Sequence, residues 1–226
     1  MKRVVGAILS SALLASCVTT QVEEEANVFA SYKAPEVGTK FVVNYISEDS
    51  PDGPDQFEQV VVATGEDYAV YAIPDEELGL QADSFFIEYS GVFWQVCGDR
   101  QPDQSERLAL QGLWPLEAGK TATVTSSDVD GSIRKVDVSV LALETDTSDA
   151  FGEQPVASVH SAVEFPEYMR FAPQLSTPLR IDWGEPGSAN YDGYDELVSI
   201  EKTNLEDYAL WVDFGAKICA PQPLNG

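Results

Sequence analysis

The pattern of hydrophobic and polar residues along the chain favours β-strands over helices. From Lys33 onward, short apolar and β-branched runs recur between clusters of Gly, Pro, Asp and Ser. The run 135–140 alternates charged or polar with apolar residues, which is typical of a strand with one buried face. Helix signals are confined to Asp103–Leu113 and Asn204–Asp207, each enough for a turn or two. The predicted strands are Thr39–Ser47, Phe57–Thr64, Tyr68–Ile73, Ser84–Tyr89, Val92–Cys97, Ala122–Ser127, Ile133–Leu143, Val156–Phe165, Leu179–Trp183, Glu196–Glu201 and Tyr208–Phe214.

Turn residues between these runs predict how the strands connect. Ser90-Gly91 lies between two apolar runs and indicates a tight hairpin. Asp128-Val129-Asp130-Gly131 indicates a second turn, and the segment 49–54, rich in Asp and Pro, cannot continue a strand. Many strands with short connections predict an all-β, mainly antiparallel fold: one β-domain over residues 32–226, built as a strongly curved sheet or half-open β-barrel with little helix.

The first residues have the layout of an export signal. Met1-Lys2-Arg3 supplies positive charge, and the apolar run Val4–Leu14 is about half the length that a membrane-spanning helix needs. The sequence Leu14-Ala15-Ser16-Cys17 resembles the bacterial lipobox, which implies cleavage after residue 16 and lipidation of Cys17. Two or more acyl chains would anchor the protein stably to a membrane. The alternative is an ordinary secretory signal in which Cys17 occurs by chance.

The residues after Cys17 indicate where the anchored protein resides. Residues 17–31 include the run Glu23-Glu24-Glu25 and are interpreted as a lipidated cysteine followed by an acidic tether. In enterobacterial lipoproteins an Asp after the cysteine retains the protein in the inner membrane. This chain has Val18 there, so we expect the periplasmic face of the outer membrane.

The charge of the chain excludes one class of partner. Residues 1–16 hold two of the 13 basic residues and none of the 38 acidic ones, so the chain from Cys17 carries a formal charge of −27. Such a surface repels phosphates, and nucleic-acid binding is therefore not expected. The acidic residues lie among apolar runs, which indicates a solvated acidic surface rather than a disordered tail. A surface that recruits divalent cations or a basic protein is the alternative.

Three cysteines fit an exported protein. With Cys17 assigned to lipid, Cys97 and Cys219 remain, and in an oxidising periplasm they are predicted to form a disulfide. Two unpaired thiols are the alternative. The disulfide would join the C-terminal segment to the middle of the fold.

A central motif carries a resemblance to a group of proteins. Gly112-Leu113-Trp114-Pro115-Leu116-Glu117-Ala118-Gly119-Lys120, followed by a strand, resembles a phrase of uncharacterised bacterial envelope lipoproteins. The later strands Ile133–Leu143 and Leu179–Trp183 also fit their pattern. These families are similar to curved β-sheet proteins of the lipoprotein-carrier group, which shield apolar ligands in a concave sheet. The resemblance implies the fold and an apolar ligand or envelope partner, and it transfers no functional residues. Trp114 and Leu116 are interpreted as a structural corner that plugs the mouth or edge of the sheet, and a role at the mouth of a ligand site is the alternative.

Residues for hydrolytic or metal chemistry are scarce. The single histidine, His160, lies in a predicted strand, and the chain has no Gly-x-Ser-x-Gly elbow, so a serine triad is not expected. The chain also lacks the several His and Cys ligands of a zinc site and any phosphate-binding loop. We therefore expect no enzyme, no metal and no cofactor.

Acidic residues leave one catalytic alternative open. The segments 128–132 and 191–195 place oxygen ligands at close intervals, but β-turns account for both better than calcium loops do. The chain has 38 acidic residues, so a carboxylate pair that hydrolyses a glycosidic bond remains an alternative.

The tryptophans Trp94, Trp114, Trp183 and Trp211 are the candidate ligand-binding residues. In a β-domain most aromatic side chains belong to the core, but a half-open sheet would expose some on its concave face. Three hypotheses follow: a non-enzymatic lipoprotein that binds an apolar ligand, an assembly accessory acting through its acidic surface, and a carboxylate-based hydrolase.

Overall fold

The computed structural model describes residues 28–47, 53–75, 79–127, 132–162 and 167–224. These residues form one antiparallel sheet of 11 strands. The strands are β1 (Thr39–Ser47), β2 (Asp55–Thr64), β3 (Tyr68–Ala72), β4 (Phe85–Tyr89), β5 (Phe93–Val96), β6 (Thr121–Ser127), β7 (Ile133–Ser148), β8 (Gly152–Ser161), β9 (Glu167–Ala172), β10 (Thr177–Trp183) and β11 (Gly193–Lys202). The α-helices of the described residues are α1 (Gln104–Gln111) and α2 (Ala209–Ile218).

The strand order and the bulges together account for an open, curled sheet. The order runs β5-β4-β3-β2-β1-β11-β10-β9-β8-β7-β6, so the first and last strands of the chain pair at the centre and β5 and β6 lie at the two edges. Register shifts interrupt β1, β2, β7 and β10. Such bulges increase the local twist and bend of a sheet. The result is a curled half-barrel with little helix, and the predicted fold class is confirmed.

The helix predicted over Asp103–Leu113 is present as α1. The Asp103 carboxylate accepts hydrogen bonds from the backbone N–H groups of Ser105 (2.9 Å) and Glu106 (3.0 Å), and the Glu106 carboxylate accepts one from the N–H of Asp103 (2.8 Å). This reciprocal capping satisfies donors that would otherwise lack partners at the start of a helix. The helix contacts β6 and lies in the connection between the two edge strands.

The prediction of a strand over Tyr208–Phe214 is wrong, because residues 209–218 form the helix α2. Its aromatic residues were read as strand texture, but Trp211, Phe214 and Gly215 recur at helical spacing. Trp211 and Phe214 each pack against the ring of Phe85 at 5.6 Å between centroids. A Cβ on Gly215 would lie 2.7 Å from that ring, so the glycine allows the helix to approach the sheet closely.

One strand was missed by the sequence prediction. β9 (Glu167–Ala172) pairs with β8 on one side and β10 on the other. It is short and mixes charged with apolar residues, so its pattern is weak without its neighbours. The turn predicted at 128–131 and most of the loop at 49–54 lie outside the described residues.

The predicted hairpin at Ser90-Gly91 is present and reaches across the half-barrel. Both residues have positive φ, 53° for Ser90 and 72° for Gly91, and they connect β4 to β5. A Cβ on Gly91 would lie 2.5 Å from the ring of Phe171 on β9. The glycine therefore lets the tip of the edge hairpin pack against the opposite half of the sheet. Trp114 completes this contact, since its Nε1 donates to the carbonyl oxygen of Ser90 at 2.9 Å.

The predicted disulfide between Cys97 and Cys219 is confirmed. Both cysteines are buried, and they are separated by 122 positions in the chain. The bond fixes the end of α2 next to the edge strand β5. In the chain-entropy description, a covalent loop of that length lowers the entropy of the unfolded chain and so stabilises the folded protein by about 5 kcal/mol.

Candidate functional site

A cleft lies between the edge strand β5 and the strands β10 and β11. The space that its walls enclose is about 20 Å³, room for one water-sized group, and the rest of the cleft is open to solvent. Its apolar walls are Val43, Trp94, Leu179, Ile181 and Leu197. The curl of the sheet makes this cleft, because only curvature brings β5 opposite two strands from the other half of the sheet order.

Trp94 belongs to the wall of the cleft and also to the packed interior behind it. Its ring lies 4.6 Å from that of Tyr71, and only 7 % of the residue is exposed. Its Nε1 donates no hydrogen bond to any described group. A buried indole N–H normally has an acceptor. The indole N–H of Trp94, a residue in the wall of the cleft, is therefore an unused buried donor.

The other candidate tryptophans occupy three different places. Trp183 lies at the end of β10, directly across from Glu167 on β9, near the cleft. Trp114 packs inside the half-barrel, with its ring 6.1 Å from that of Phe171. Trp211 lies on α2 against Phe85. The structure thus places Trp94 in the wall of the cleft, Trp183 beside Glu167 on the same face of the sheet, Trp114 at the hairpin contact and Trp211 on the terminal helix.

Asp195 ends the segment 191–195, which the sequence analysis interpreted as a β-turn; its last three residues instead begin β11, and Asp195 lines the cleft. On β11 it stands directly across from Tyr45 of β1 and Ile181 of β10, so these side chains share one face of the sheet. Burial raises the pKa of the Asp195 carboxyl to about 7, while a hydrogen bond from the Trp183 side chain acts in the opposite direction. A substantial fraction of Asp195 is therefore protonated near neutral pH.

Glu167 lies on the same face, at the start of β9. It stands across from Trp183 on β10 and from Ser161 on β8. Burial, and then the charge of Asp195, raise the pKa of Glu167 to about 8. Among the described residues neither acid forms an ion pair with Lys, Arg or His. Two shielded carboxyl groups thus lie close together without a cation.

Ser161 adds a second unused polar group beside Glu167. It is 1 % exposed, and its Oγ has no hydrogen-bond partner among the described residues. Directly opposed side chains in an antiparallel pair have Cβ atoms about 5 Å apart. The Ser161 hydroxyl and the Glu167 carboxyl therefore face a common space.

The basic residue closest to this region is already engaged. Arg180 contributes to the lining of the cleft, but its guanidinium donates to the Asp182 carboxylate at 3.0, 3.1 and 2.5 Å. It also stacks over the ring of Tyr194 at 3.6 Å from the centroid. Asp182 and Tyr194 oppose each other on β10 and β11, on the face away from Asp195. Arg180 therefore neutralises Asp182 and not the acids of the cleft.

A third buried acid lies behind Trp94. Glu88 on β4 stands across from Trp94 on β5, and its Oε2 accepts a hydrogen bond from the Tyr71 hydroxyl at 2.6 Å. Burial raises its pKa to about 7, and the hydrogen bond from Tyr71 acts in the opposite direction. Glu88 is enclosed by the core and has a tyrosine partner, which distinguishes it from Asp195 and Glu167.

His160 and the predicted lipidation site lie away from the cleft. His160 stacks on Tyr168 at 4.5 Å, and burial lowers its pKa. Because neighbouring residues of a strand point to opposite faces, His160 and Ser161 face opposite sides of β8. Residues 1–27, which include Cys17, lie outside the described residues. Residues 28–31 are the described part of the proposed tether. They contact the folded domain at Phe29, whose carbonyl oxygen accepts a hydrogen bond from the N–H of Leu116 at 2.8 Å.

Two searches of the described residues concern membranes and metals. No helix within them combines the length and the apolar character needed to cross a bilayer. In the same ranges, no three His, Cys, Asp or Glu side chains are grouped so that they could hold a metal ion.

Comparison with known proteins returns no relative. The chain matches no protein-family model, and no curated protein shows significant similarity to it. The function therefore has to be inferred from the sequence and from the geometry of the cleft.

Proposed function

We propose that this protein is a non-enzymatic lipoprotein, anchored by lipid at the periplasmic face of a bacterial outer membrane, that binds an apolar ligand or envelope component on its curved sheet. The observation that carries the proposal is the cleft of the half-barrel, whose walls are Trp94, Val43, Leu179, Ile181 and Leu197. Such a concave apolar site with a few polar groups is the usual form of a small-ligand site. The resemblance of the Gly112–Lys120 motif to envelope lipoproteins supports the same function.

The anchor is supported by the sequence Leu14-Ala15-Ser16-Cys17 after a short apolar run. Replacing Cys17 by Ser should block lipidation, and the protein should then leave the membrane fraction because the acyl chains supply its affinity for lipid. Metabolic labelling with a clickable fatty acid and membrane fractionation measure both effects. Unchanged labelling and membrane association of the Cys17→Ser protein would refute the anchor.

Native mass spectrometry of the full-length protein, extracted gently from its own membrane, tests the apolar ligand. We expect a co-purifying mass in the range of a lipid or another apolar molecule. Leu197→Trp should reduce its occupancy because the larger ring fills the cleft, whereas Leu141→Trp, the same change at a residue that is 51 % exposed, should not. A mass equal to that of the apo protein, unchanged after lipid is offered, would contradict this function.

A protein partner is the second candidate function, and one feature of β7 favours it. β6 pairs with β7 only from Ile133 to Ser139, and the backbone of Lys120 and Gly119 extends the pairing to Val140. The rest of β7 exposes Leu141 and Leu143 beside acidic Glu144. Free strand edges bind extended peptides by adding a strand. Glu144→Lys should weaken capture of an envelope protein in cross-linking and leave ligand binding in the cleft unchanged, if this edge is the functional surface.

Carboxylate-based hydrolysis is the third candidate, because the structure brings Asp195 and Glu167 together. Acid–base hydrolysis needs one ionised and one protonated carboxyl group. Here burial raises the pKa of both, to about 7 and about 8, so their environments do not separate the two roles. Activity on envelope polysaccharides that is lost in Glu167→Gln would nevertheless establish it.

A further inference from the structure

We infer that the cleft recognises the cationic head of its ligand, an ammonium group attached to an apolar chain, through Asp195 and Glu167. This inference rests on the proposed binding function and specifies its chemistry. The two carboxyl groups share one face of the sheet. Asp195 lines the open cleft, and Glu167 lies two strands away on β9, across from Trp183. Ile181 and Leu197, in the wall beside Asp195, would contact the apolar part.

The first argument is the missing counter-charge. Shielded acids in proteins are normally paired with a cation or strongly hydrogen-bonded. Among the described residues Asp195 and Glu167 have no ion-pair partner, and Arg180 is held by Asp182 on the other face. A bound ammonium would supply the charge that the chain does not. An anionic head would instead be repelled by both acids and by the formal charge of the whole chain, −25.

The second argument comes from polar groups that point to a bound molecule independently of the acids. Ser161, across from Glu167, is 1 % exposed and its Oγ has no partner among the described residues. Trp94, in the wall of the cleft, is 7 % exposed and its Nε1 likewise lacks a described acceptor. Unsatisfied buried groups are rare in native proteins, and a ligand or ordered water accounts for them. Trp183, which lies across from Glu167 and donates a hydrogen bond to Asp195, adds an aromatic ring of the kind that attracts ammonium ions.

The titratable groups that face the cleft define how binding should depend on pH. Asp195 on β11 and Arg180 on β10, which is paired with Asp182, line the cleft. Glu167 on β9 and Tyr45 on β1, whose hydroxyl is bonded to Asp192 of the β10–β11 loop, share the face of Asp195. Glu88 on β4 lies behind Trp94. A cation binds the ionised carboxylates, and the ionised fraction of a group with a pKa of about 7 rises about tenfold from pH 6 to pH 8. Affinity for an ammonium ligand should rise by about the same factor.

The test is calorimetric titration of the full-length protein, in a non-ionic detergent, with three probes of equal chain length: octylammonium, octanol and octanoate. We expect octylammonium to bind at least ten times more tightly than octanol, and octanoate most weakly. Asp195→Asn and Glu167→Gln should each lower the octylammonium affinity about tenfold and leave octanol binding unchanged. Glu196→Gln, the neighbouring acid on the opposite face of β11, is the matched control and should change neither.

The pH series on the unmodified protein keeps the test valid even if a substitution disturbs folding. Glu88→Gln should retain the pH dependence, because that acid is enclosed behind Trp94. Equal binding of octanol and octylammonium, or tighter binding of octanoate, would overturn the cation inference and leave the apolar site standing. If none of the three probes binds, the cation inference is overturned. The proposed binding function is overturned too if native mass spectrometry also finds no apolar ligand.

Discussion

Two acidic sites of this protein differ in how their charge is compensated. Asp67, 2 % exposed at the β2–β3 connection, accepts two hydrogen bonds from Arg107 of α1, at 2.8 Å from Nε and 2.7 Å from Nη2. Arg107 also donates to the carbonyl oxygen of Gln222 at 2.5 Å. Asp195 and Glu167, in contrast, have no cation beside them among the described residues. Their neighbours are each other, the Trp183 side chain and Ser161, whose hydroxyl has no described partner.

The difference separates a structural acid from acids available for binding. The Asp67–Arg107 pair joins α1, the β2–β3 connection and the C-terminal segment, and every part of it is internal. A bidentate arginine pair is complete and has little to offer a ligand. The cleft acids have a partly open environment and no cation, so they retain the capacity to bind one. Breaking the first site should therefore damage stability, and neutralising the second should not.

Removing the arginine of the paired site should have the largest effect. Arg107→Met leaves the carboxylate of Asp67 buried without its partner, which costs about 3–5 kcal/mol in other proteins. Urea denaturation at pH 7 measures the loss in free energy of unfolding. Adding Asp67→Asn should restore part of it, because the double variant buries no unpaired charge. If Arg107→Met changes stability by less than 1 kcal/mol, the pair is not the internal support described above.

Opening the disulfide should weaken the same region somewhat less. Cys219 lies three residues before Gln222, whose carbonyl oxygen accepts from Arg107, so the bond holds that acceptor in place. Replacing both Cys97 and Cys219 by Ser should lower the free energy of unfolding by about 2–4 kcal/mol. The binding of octylammonium at the cleft should persist, because the two acids lie on β9 and β11 and the bond anchors only the end of β5, beyond Trp94. Loss of binding in a variant that remains folded would show that the two regions are coupled.

Neutralising the cleft should stabilise the free protein at high pH. The folded pKa of Asp195, about 7, lies above its ordinary value of 3.8, so its favourable contribution is present below about pH 4 and is lost as the pH rises towards 7. Asn at this position carries no charge at any pH, so Asp195→Asn should raise the free energy of unfolding by about 1–2 kcal/mol at pH 8. This figure is reduced from that of a fully buried group because Asp195 is partly exposed to solvent. At pH 4 the substitution should have no effect. Thermal unfolding at both pH values measures it, with Glu196→Gln as control. A variant that is less stable than the parent at pH 8 would indicate that Asp195 has a compensating partner after all.

The smallest effect should come from Ser161. Its hydroxyl has no described partner, so Ser161→Ala removes no internal hydrogen bond and should change the free energy of unfolding by less than about 0.5 kcal/mol. If the hydroxyl contacts a ligand, the same variant should weaken ligand binding in calorimetry. A large loss of stability would instead reveal an internal role for this serine.

Local patterns were sufficient for most of the fold. Strand texture, the Ser90-Gly91 turn, the helix over Asp103–Leu113 and the remaining cysteine pair each depend on neighbouring residues or on counting, and each matches the structure. The helix at 209–218 was missed because its aromatic residues fit both periods. The packing of Gly215 against Phe85, which requires a helix, decides between the strand and helix periods, and it is visible only in the fold.

The acidic site could not be found in the same way. Asp195 and Glu167 are distant in sequence and become neighbours only through the registers of β9, β10 and β11. β9 itself was not predicted, so Glu167 had no assigned face. Among 38 acidic residues, only three-dimensional pairing identifies two that share a shielded face without a cation. Two of the four tryptophans proposed from the sequence do belong to this region: Trp94 lines the cleft and Trp183 lies across from Glu167. The sequence alone could not show that Trp114 and Trp211 lie elsewhere.

The most direct test of this difference is the pKa of Asp195, measured by carboxyl ¹³C NMR on the full-length protein and assigned by its absence in Asp195→Asn. We expect a pKa of about 7 in the free protein, because burial disfavours the charged form, and a clear decrease when octylammonium is added. A pKa near 3.8 that does not move with the cation would mean that Asp195 is already solvated or paired, and it would contradict the distinction between the two acidic sites.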